Sequence, residues 1–160
     1  MRMFSLAAVL GLLMMIPAQA NAEEGERVGA APFSRVQPEK LAEILTAAGY
    51  DSEVLSDEFG KYLATNMSGF SVLVFPYDCQ ASGCSSMQFW TGFTADPSLN
   101  VEFANAWNLQ WRFAKAYLDG DGNFNMSQDV MFDGGVTAEN VTANARLFDY
   151  LLGELQQFNP

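Results

Sequence analysis

The two cysteines, Cys79 and Cys84, have the most distinctive chemistry in this chain. Four residues separate them, whereas redox centres of the thioredoxin type place two residues between their cysteines. The start of the chain also resembles an export signal, and exported proteins favour disulfides over free thiols. We therefore predict a structural disulfide that closes a small hairpin loop, with a redox pair as the alternative.

Histidine is absent from the sequence. This excludes Ser-His-Asp and Cys-His nucleophilic arrangements and the usual zinc sites. Carboxylates remain, and a hydrolase would need two of them held about 5–10 Å apart in a cleft. Asp119, Asp121 and Asp133 are the candidates, but all three lie beside glycines, where turn formation explains an aspartate equally well. We expect no enzymatic activity and no cofactor, and a carboxylate-based hydrolase is the least favoured function.

A calcium loop is the other chemistry to consider near these turns. Asp119, Asp121 and Asn123 match the first, third and fifth positions of an EF-hand. The sixth position should be glycine and is Phe124, and the twelfth should be glutamate and is Val130. The flanking segments also have the pattern of strands, so we expect no metal site.

Aromatic residues are the remaining candidates for function. The 13 Phe, five Tyr and three Trp exceed what a domain of this length needs for its core. Strand alternation puts Phe89 on one side of its strand and Trp90 on the other. A covering helix would explain Trp90 simply, whereas an exposed Trp90 beside Tyr77 would indicate an interaction patch. Trp111 is a third candidate for such a patch.

A helix end carries the second group, in which Asn105 and Asn108 bracket Trp107. Asparagines at helix ends commonly bond to the main chain, which is a purely structural explanation. Alternatively, these residues line a small-ligand or peptide pocket with Tyr117. The candidate partner-binding residues are therefore Tyr77, Trp90, Trp107, Asn108 and Trp111.

The first 22 residues have the pattern of a secretory signal peptide. Arg2 precedes an apolar run at residues 6–16, which is too short to span a bilayer comfortably. Pro17 ends the run, and small residues then allow cleavage after Ala22 or after Ala20. We expect a periplasmic or secreted protein with no membrane attachment after cleavage.

The remaining 138 residues are enough for one domain with a core of its own. We divide them into a flexible arm at 23–36, in which Phe33 and Val36 could dock, and a domain at 37–160. Loss of Arg2 leaves seven basic side chains against 19 acidic ones. Such a surface repels phosphate backbones, so nucleic-acid binding is disfavoured.

Hydrophobic spacing gives the order of the elements. A first helix begins at Pro38 and ends near Gly49, and a last helix follows Thr137 with a clear apolar stripe. Between them, the patterns predict four strands, a helix and two more strands, at 50–57, 61–67, 70–77, 86–93, 98–110, 112–118 and 124–132. Tight hairpins favour antiparallel pairing. The order α-β-β-β-β-α-β-β-α therefore predicts an α+β fold, with an antiparallel sheet packed by helices in two layers.

Three segments together resemble a known family. They are Asn105-Ala-Trp-Asn, the run from Arg112 to Asp119, and Asp133-Gly-Gly-Val. This set is similar to the YbjN-like family of bacterial sensory transduction regulators, over about residues 37–158. The loop from Cys79 to Cys84 is similar to exported members.

The resemblance implies a fold like that of type III secretion chaperones, which are small α+β proteins that bind other proteins and often dimerise. It implies no catalytic residues. The favoured function is therefore an exported, non-catalytic, chaperone-like or regulatory domain that binds a protein whose identity is unknown. A homodimer stays open.

Overall fold

A computed structural model describes residues 31–160. The signal peptide assigned to residues 1–22 and the arm up to residue 30 lie outside the described residues. The elements are α1 (Pro38–Ala47), β1 (Glu53–Asp57), β2 (Gly60–Met67), β3 (Phe70–Tyr77), β4 (Ser86–Phe93), α2 (Val101–Gln110), β5 (Lys115–Leu118), β6 (Phe124–Met131) and α3 (Ala138–Leu155). This order confirms the one expected from the sequence.

The strands form a six-stranded sheet in the order β1-β2-β3-β4-β6-β5. Every pairing is antiparallel, and short connections predict this for all of them except β4 with β6. The first four strands follow one another as hairpins. β6 then pairs with β4, so that β5 lies at the edge beyond it.

Helices cover one face of this sheet, which makes the two layers expected of the α+β class. Phe148 of α3 stacks on Phe89 of β4, with 5.6 Å between ring centroids. Phe103 of α2 packs edge-on against Phe124 of β6, also at 5.6 Å. α1 adds Leu41 to the same buried cluster. We call this side the inner face of the sheet.

Local sequence signals explain where the helices begin. The side chain of Asn100 accepts a hydrogen bond from the Phe103 amide at the start of α2. The Thr137 hydroxyl does the same for the Asn140 amide in α3. α1 instead begins with Pro38, whose missing N–H costs nothing in the first turn.

β1 and β5 are shorter than the sequence pattern predicts. β5 begins at Lys115 instead of residue 112, because the chain leaves α2 with Trp111 extended and Phe113 at a φ of +77°. A side chain rarely adopts that backbone conformation, and it turns the chain back toward the sheet. β1 begins at Glu53 instead of residue 50, because Tyr50 still bonds to α1 through its amide and the Leu45 carbonyl.

The segment 31–36 docks on the domain at two places. Phe33 forms a two-bond bridge with Val136, and its ring meets Phe132 edge-on at 5.8 Å. Val36 forms a second two-bond bridge with Cys84 and is buried. Both residues proposed for docking therefore contact the domain. Within the described range, no helix is both long and apolar enough to cross a membrane.

Candidate functional site

The face of the sheet opposite the helices carries a band of large apolar side chains. The register assigns alternate residues of each strand to this side, which we call the outer face. Its large apolar members are Leu55, Tyr62, Leu73, Phe75, Tyr77, Trp90, Tyr117 and Met131. None of these eight belongs to the core cluster on the inner face or packs against it.

Three aromatic rings cross the middle of the outer face. Tyr62 and Phe75 have centroids 5.9 Å apart, and Phe75 and Trp90 have centroids 6.2 Å apart. All three side chains are half-buried by one another and by the neighbouring strands. The expectation that a helix covers Trp90 is wrong, because the three helices of the described region lie on the inner face.

Three further outer-face residues are more exposed than this row. The exposed fraction is 47% for Tyr77, 58% for Met131 and 36% for Tyr117. They lie on β3, β6 and β5, so the apolar band extends across most of the sheet. An apolar band of this breadth on a protein surface is typical of an interaction site.

Two polar residues of β6 are buried on the outer face. Asn125 and Ser127 are 3% and 1% exposed, although their polarity predicts a solvent-facing row. Ser127 lies in register between Trp90 on β4 and Lys115 on β5, and these long side chains flank it. The burial of a small polar residue thus follows from the size of its cross-strand neighbours.

The charged residues of the outer face are mostly acidic. They are Glu53 and Asp57 on β1, Asp129 on β6 and Lys115 on β5. Lys115 is the basic residue among them, and its ammonium lies 3.8 Å from the Asp129 carboxylate. Asp129 also accepts a hydrogen bond of 2.7 Å from Gln88.

A cleft of about 330 Å³ opens at one end of the aromatic row. Its aromatic lining comes from Phe59, Tyr62, Phe75 and Tyr77, and Asp57 supplies a carboxylate. Oδ1 of Asp57 accepts hydrogen bonds from the amides of Phe59 and Gly60 in the β1–β2 turn, at 2.8 and 3.2 Å. Both of these bonds use Oδ1, so Oδ2 is available as an acceptor within the described residues.

Trp107 does not belong to any exposed site, which corrects its selection as a partner-binding residue. It is fully buried, stacks on Trp111 at 5.5 Å and meets Phe158 edge-on at 5.4 Å. Its indole N–H donates to the Ala114 carbonyl at 3.3 Å. The helix places this side chain toward the sheet, so a partner cannot touch it.

Asn108 has a structural role at the edge of the sheet. Its side-chain amide donates to the Ala116 carbonyl and accepts from the Ala116 amide, both at 2.8 Å. The proposed pocket at Asn105, Trp107 and Asn108 is therefore wrong, because Trp107 fills the core and Asn108 is engaged. Trp111 is half-buried on the helix side, so only Tyr77 and Trp90 of the five candidates share the outer face.

The carboxylates considered for catalysis are part of turns. Asp119 accepts hydrogen bonds from the amides of Asp121 and Asn123 and from the side chains of Asn123 and Asn125. These bonds, the Asn123 side chain above all, hold the pKa of Asp119 below its usual range. Within residues 31–160, no three metal-ligating side chains are grouped to hold an ion.

Cys79 and Cys84 form a disulfide. This loop and the adjacent Asp78 bind Gln37 and the docked segment 31–36, which we call the docked arm, through main-chain carbonyls. Arg35 donates to the carbonyls of Asp78 and Gly83 at 2.7 and 3.1 Å, and Gln37 donates to the Ala81 carbonyl at 2.9 Å. The disulfide therefore closes a loop that contacts the segment before α1.

Residues 37–154 match the family model of YbjN, described as "Putative bacterial sensory transduction regulator". The chain belongs to the YbjN family. Among curated protein sequences, none matches this chain.

A solved structure of YbjN from E. coli, described as a putative transcription regulator, is similar in fold. It is 19% identical, with a TM-score of 0.54, over 78% of this chain and 96% of the other. At this identity the likeness shows the YbjN fold alone. The family carries the description of a regulator.

Sequence reasoning missed Tyr62 and Phe75 as members of the outer face. A signal was present, because the run of β3 is apolar on both sides and Phe75 alternates with the buried Val74. A strand that is apolar on both sides predicts burial on both sides. Here the second side is covered by aromatic neighbours instead of a helix.

Proposed function

We propose that this chain is an exported, non-catalytic domain that binds another protein through its outer face. The observation that carries the proposal is the helix-free aromatic row of Tyr62, Phe75 and Trp90, bordered by the exposed Tyr77. Aromatic side chains held rigidly on a sheet supply a large contact area at a low cost in conformational entropy. The family description of a regulator is compatible with such a role.

The absence of histidine supports the non-catalytic part of the proposal. Acyl transfer and metal-assisted hydrolysis commonly use this side chain as a base or a ligand. The turn aspartates also support it, because Asp119 is engaged by four donors in its own hairpin.

Capture with matched variants tests the interaction. The chain from residue 23 onward would be offered to envelope extract beside Trp90→Ala and Leu109→Ala. Leu109 is the control, because it is an apolar residue on α2 with 91% exposure. We expect a protein that Leu109→Ala retains and Trp90→Ala loses. A photo-crosslinker at position 77, but not at position 109, should then join this protein. Equal capture by both variants would refute the outer face as the interface.

Export is tested separately by the mass of the protein recovered from cell fractions. Cleavage after Ala22 gives a chain that starts at Glu23 in the periplasm or the medium, and cleavage after Ala20 starts it at Asn21. A full-length protein that starts at Met1 in the cytoplasm would contradict the export proposal.

A further inference from the structure

We propose that the outer face takes a cationic, apolar segment of its partner, with a Lys or Arg side chain in the cleft beside Asp57. This inference rests on the proposed function and adds the chemistry of the partner. Two neighbouring features support it. The aromatic row can bind apolar side chains, and the cleft at the end of that row is both acidic and aromatic.

The cleft has the two features that bind a long basic side chain. Tyr62, Phe75 and Tyr77 present aromatic rings, and a cation within about 6 Å of a ring centroid is attracted by its quadrupole. Asp57 adds a negative charge with Oδ2 available. The volume of about 330 Å³ gives room for the apolar stem of such a side chain beside the rings.

Lys61 also lines the cleft and would repel a second cation if it were unpaired. Its ammonium is instead bound to the Glu39 carboxylate on α1, toward the helix side. At the other end of the face, Lys115 pairs with Asp129. Glu53 and Asp57 therefore determine the charge on the β1 side of the outer face.

A second copy of the chain fits the outer face poorly. The formal net charge is −11, and a two-fold contact between outer faces would bury the same net-acidic surface from both copies. A basic partner segment has the opposite charge and would lose less by burying these carboxylates. Charge complementarity therefore selects a cationic peptide over a homodimer.

Calorimetric titration with designed peptides tests this inference. The probe is an acetylated, amidated octapeptide that alternates arginine with leucine. The matched control replaces every arginine with citrulline, which keeps the shape and removes the charge. We expect the arginine peptide to bind at least about tenfold more tightly than the control at low salt, and its advantage to shrink as salt rises.

Two variants locate the binding. Asp57→Asn keeps the Oδ1 acceptor of the turn and removes the charge, so the arginine peptide should lose roughly three- to tenfold in affinity. The citrulline peptide should bind this variant unchanged. Asp121→Asn is the control, because it removes an exposed acid from the β5–β6 turn. Trp90→Ala should weaken both peptides.

The outcomes separate this inference from the proposed function. If the two peptides bind equally and both lose affinity for Trp90→Ala, the requirement for a cationic side chain is refuted. The outer face then still stands as the interface. Failure of both peptides overturns the inference, while the capture experiment decides the interface independently. A chain that sediments as a dimer, with Trp90→Ala as a monomer, would show that a second copy occupies the face and would also overturn it.

Discussion

Gly83 lies where the main chain of the docked arm passes close to the disulfide loop. Its φ is +114°, and a Cβ added there would lie 2.6 Å from the main-chain carbonyl carbon of Val36. Main-chain atoms cannot rotate away from this overlap as the end of a flexible side chain can. Val36 and its bridge to Cys84 would therefore have to move.

We predict that Gly83→Ala destabilises the fold more than Gly49→Ala does. Gly49 has a similar φ of +99° with nothing near its added Cβ, so it isolates the backbone penalty of roughly 1–2 kcal/mol. Gly83→Ala should cost at least about 1 kcal/mol more because of the overlap. Urea unfolding of both variants measures the difference, and equal costs would mean that the arm does not pack as described.

Tyr50 gives a prediction for alkaline pH. Burial first, and then the nearby Asp149 carboxylate that its hydroxyl bonds at 3.1 Å, raise the pKa of Tyr50 from 10.0 to about 12. Because the folded pKa lies above the unfolded value, Tyr50 stabilises the fold below pH 10. This contribution is lost as pH rises from 10 toward 12.

Absorbance at 295 nm should show Tyr50 ionising near pH 12, in a step that Tyr50→Phe removes. Asp149→Asn should move that step toward pH 10, since it removes the negative charge. A step of the same size and pH that persists in Tyr50→Phe would contradict the assignment.

At the level of residues, the sequence shows which aromatic side chains are present but not which of them reach the surface. Trp90 and Trp107 have the same side chain, yet one lies on the outer face and the other fills the core. Alternation within β4 correctly sets Trp90 opposite Phe89. It cannot tell which side of the sheet the helices cover, because that depends on how distant elements pack.

Asn108 connects two elements, α2 and the edge strand β5. Its side-chain amide pairs with both the N–H and the C=O of Ala116. It therefore provides the hydrogen bonds that a neighbouring strand would make, because β5 is at the edge of the sheet. Because these two main-chain groups are paired, they cannot bond to a strand of another chain at the edge of the sheet.

We predict that Asn108→Ala lowers the free energy of unfolding by about 1–3 kcal/mol, since it leaves both polar groups of the mostly buried Ala116 without their partner. Asn105→Ala is the control on the same helix, because Asn105 is exposed like Asn108 but does not bond to Ala116. It should stay within about 0.5 kcal/mol of wild type. Thermal unfolding provides the comparison, and similar losses in the two variants would refute the bridging role.

Most elements could be predicted because their signals are local. β3 and β4 match the predicted bounds, and α3 follows its apolar stripe from Val141 to Leu155. The start of β5 was missed by three residues. There the alternation continues through Arg112 and Phe113, but the positive φ of Phe113 makes a turn that hydrophobicity does not encode.

For the whole molecule, the disulfide closes the loop between β3 and β4, and hydrogen bonds attach this loop to the segment before α1. Arg35, Val36 and Gln37 all bond to the main chain of this loop. The loop is short, so the entropic stabilisation is modest, and its order also supports the docked arm.

We predict that replacing both Cys79 and Cys84 with alanine costs roughly 2–3 kcal/mol in the chain-entropy model. Hydrogen exchange should accelerate in the variant at the amides of Val36 and of position 84, which pair across the contact. The amides of β2 and β3 serve as the internal control and should stay protected below the transition. Unchanged exchange at Val36 would show that the arm docks without the disulfide.

The fold class follows from the order of elements, whereas the position of β6 does not. Hairpin signals connect neighbours in sequence, and β4 pairs with β6 across a helix and a strand. This long-range pairing is favoured by the inner-face residues that it buries, such as Phe89 beside Gln128 and Phe93 beside Phe124. Such cross-strand matches are visible only once the register is known.

Phe93 ends β4 and Phe124 begins β6, and the two are direct partners, so the chain leaves β4 and enters β6 at the same level of the sheet. β1 to β4 and β6 form five neighbouring antiparallel strands. α2 and β5 are a long insertion between two of these neighbours, β4 and β6. Insertions at such points change length without shifting the register of the strands that flank them. This is where relatives of different length can diverge, and where a two-residue turn could in principle shorten the chain to five strands.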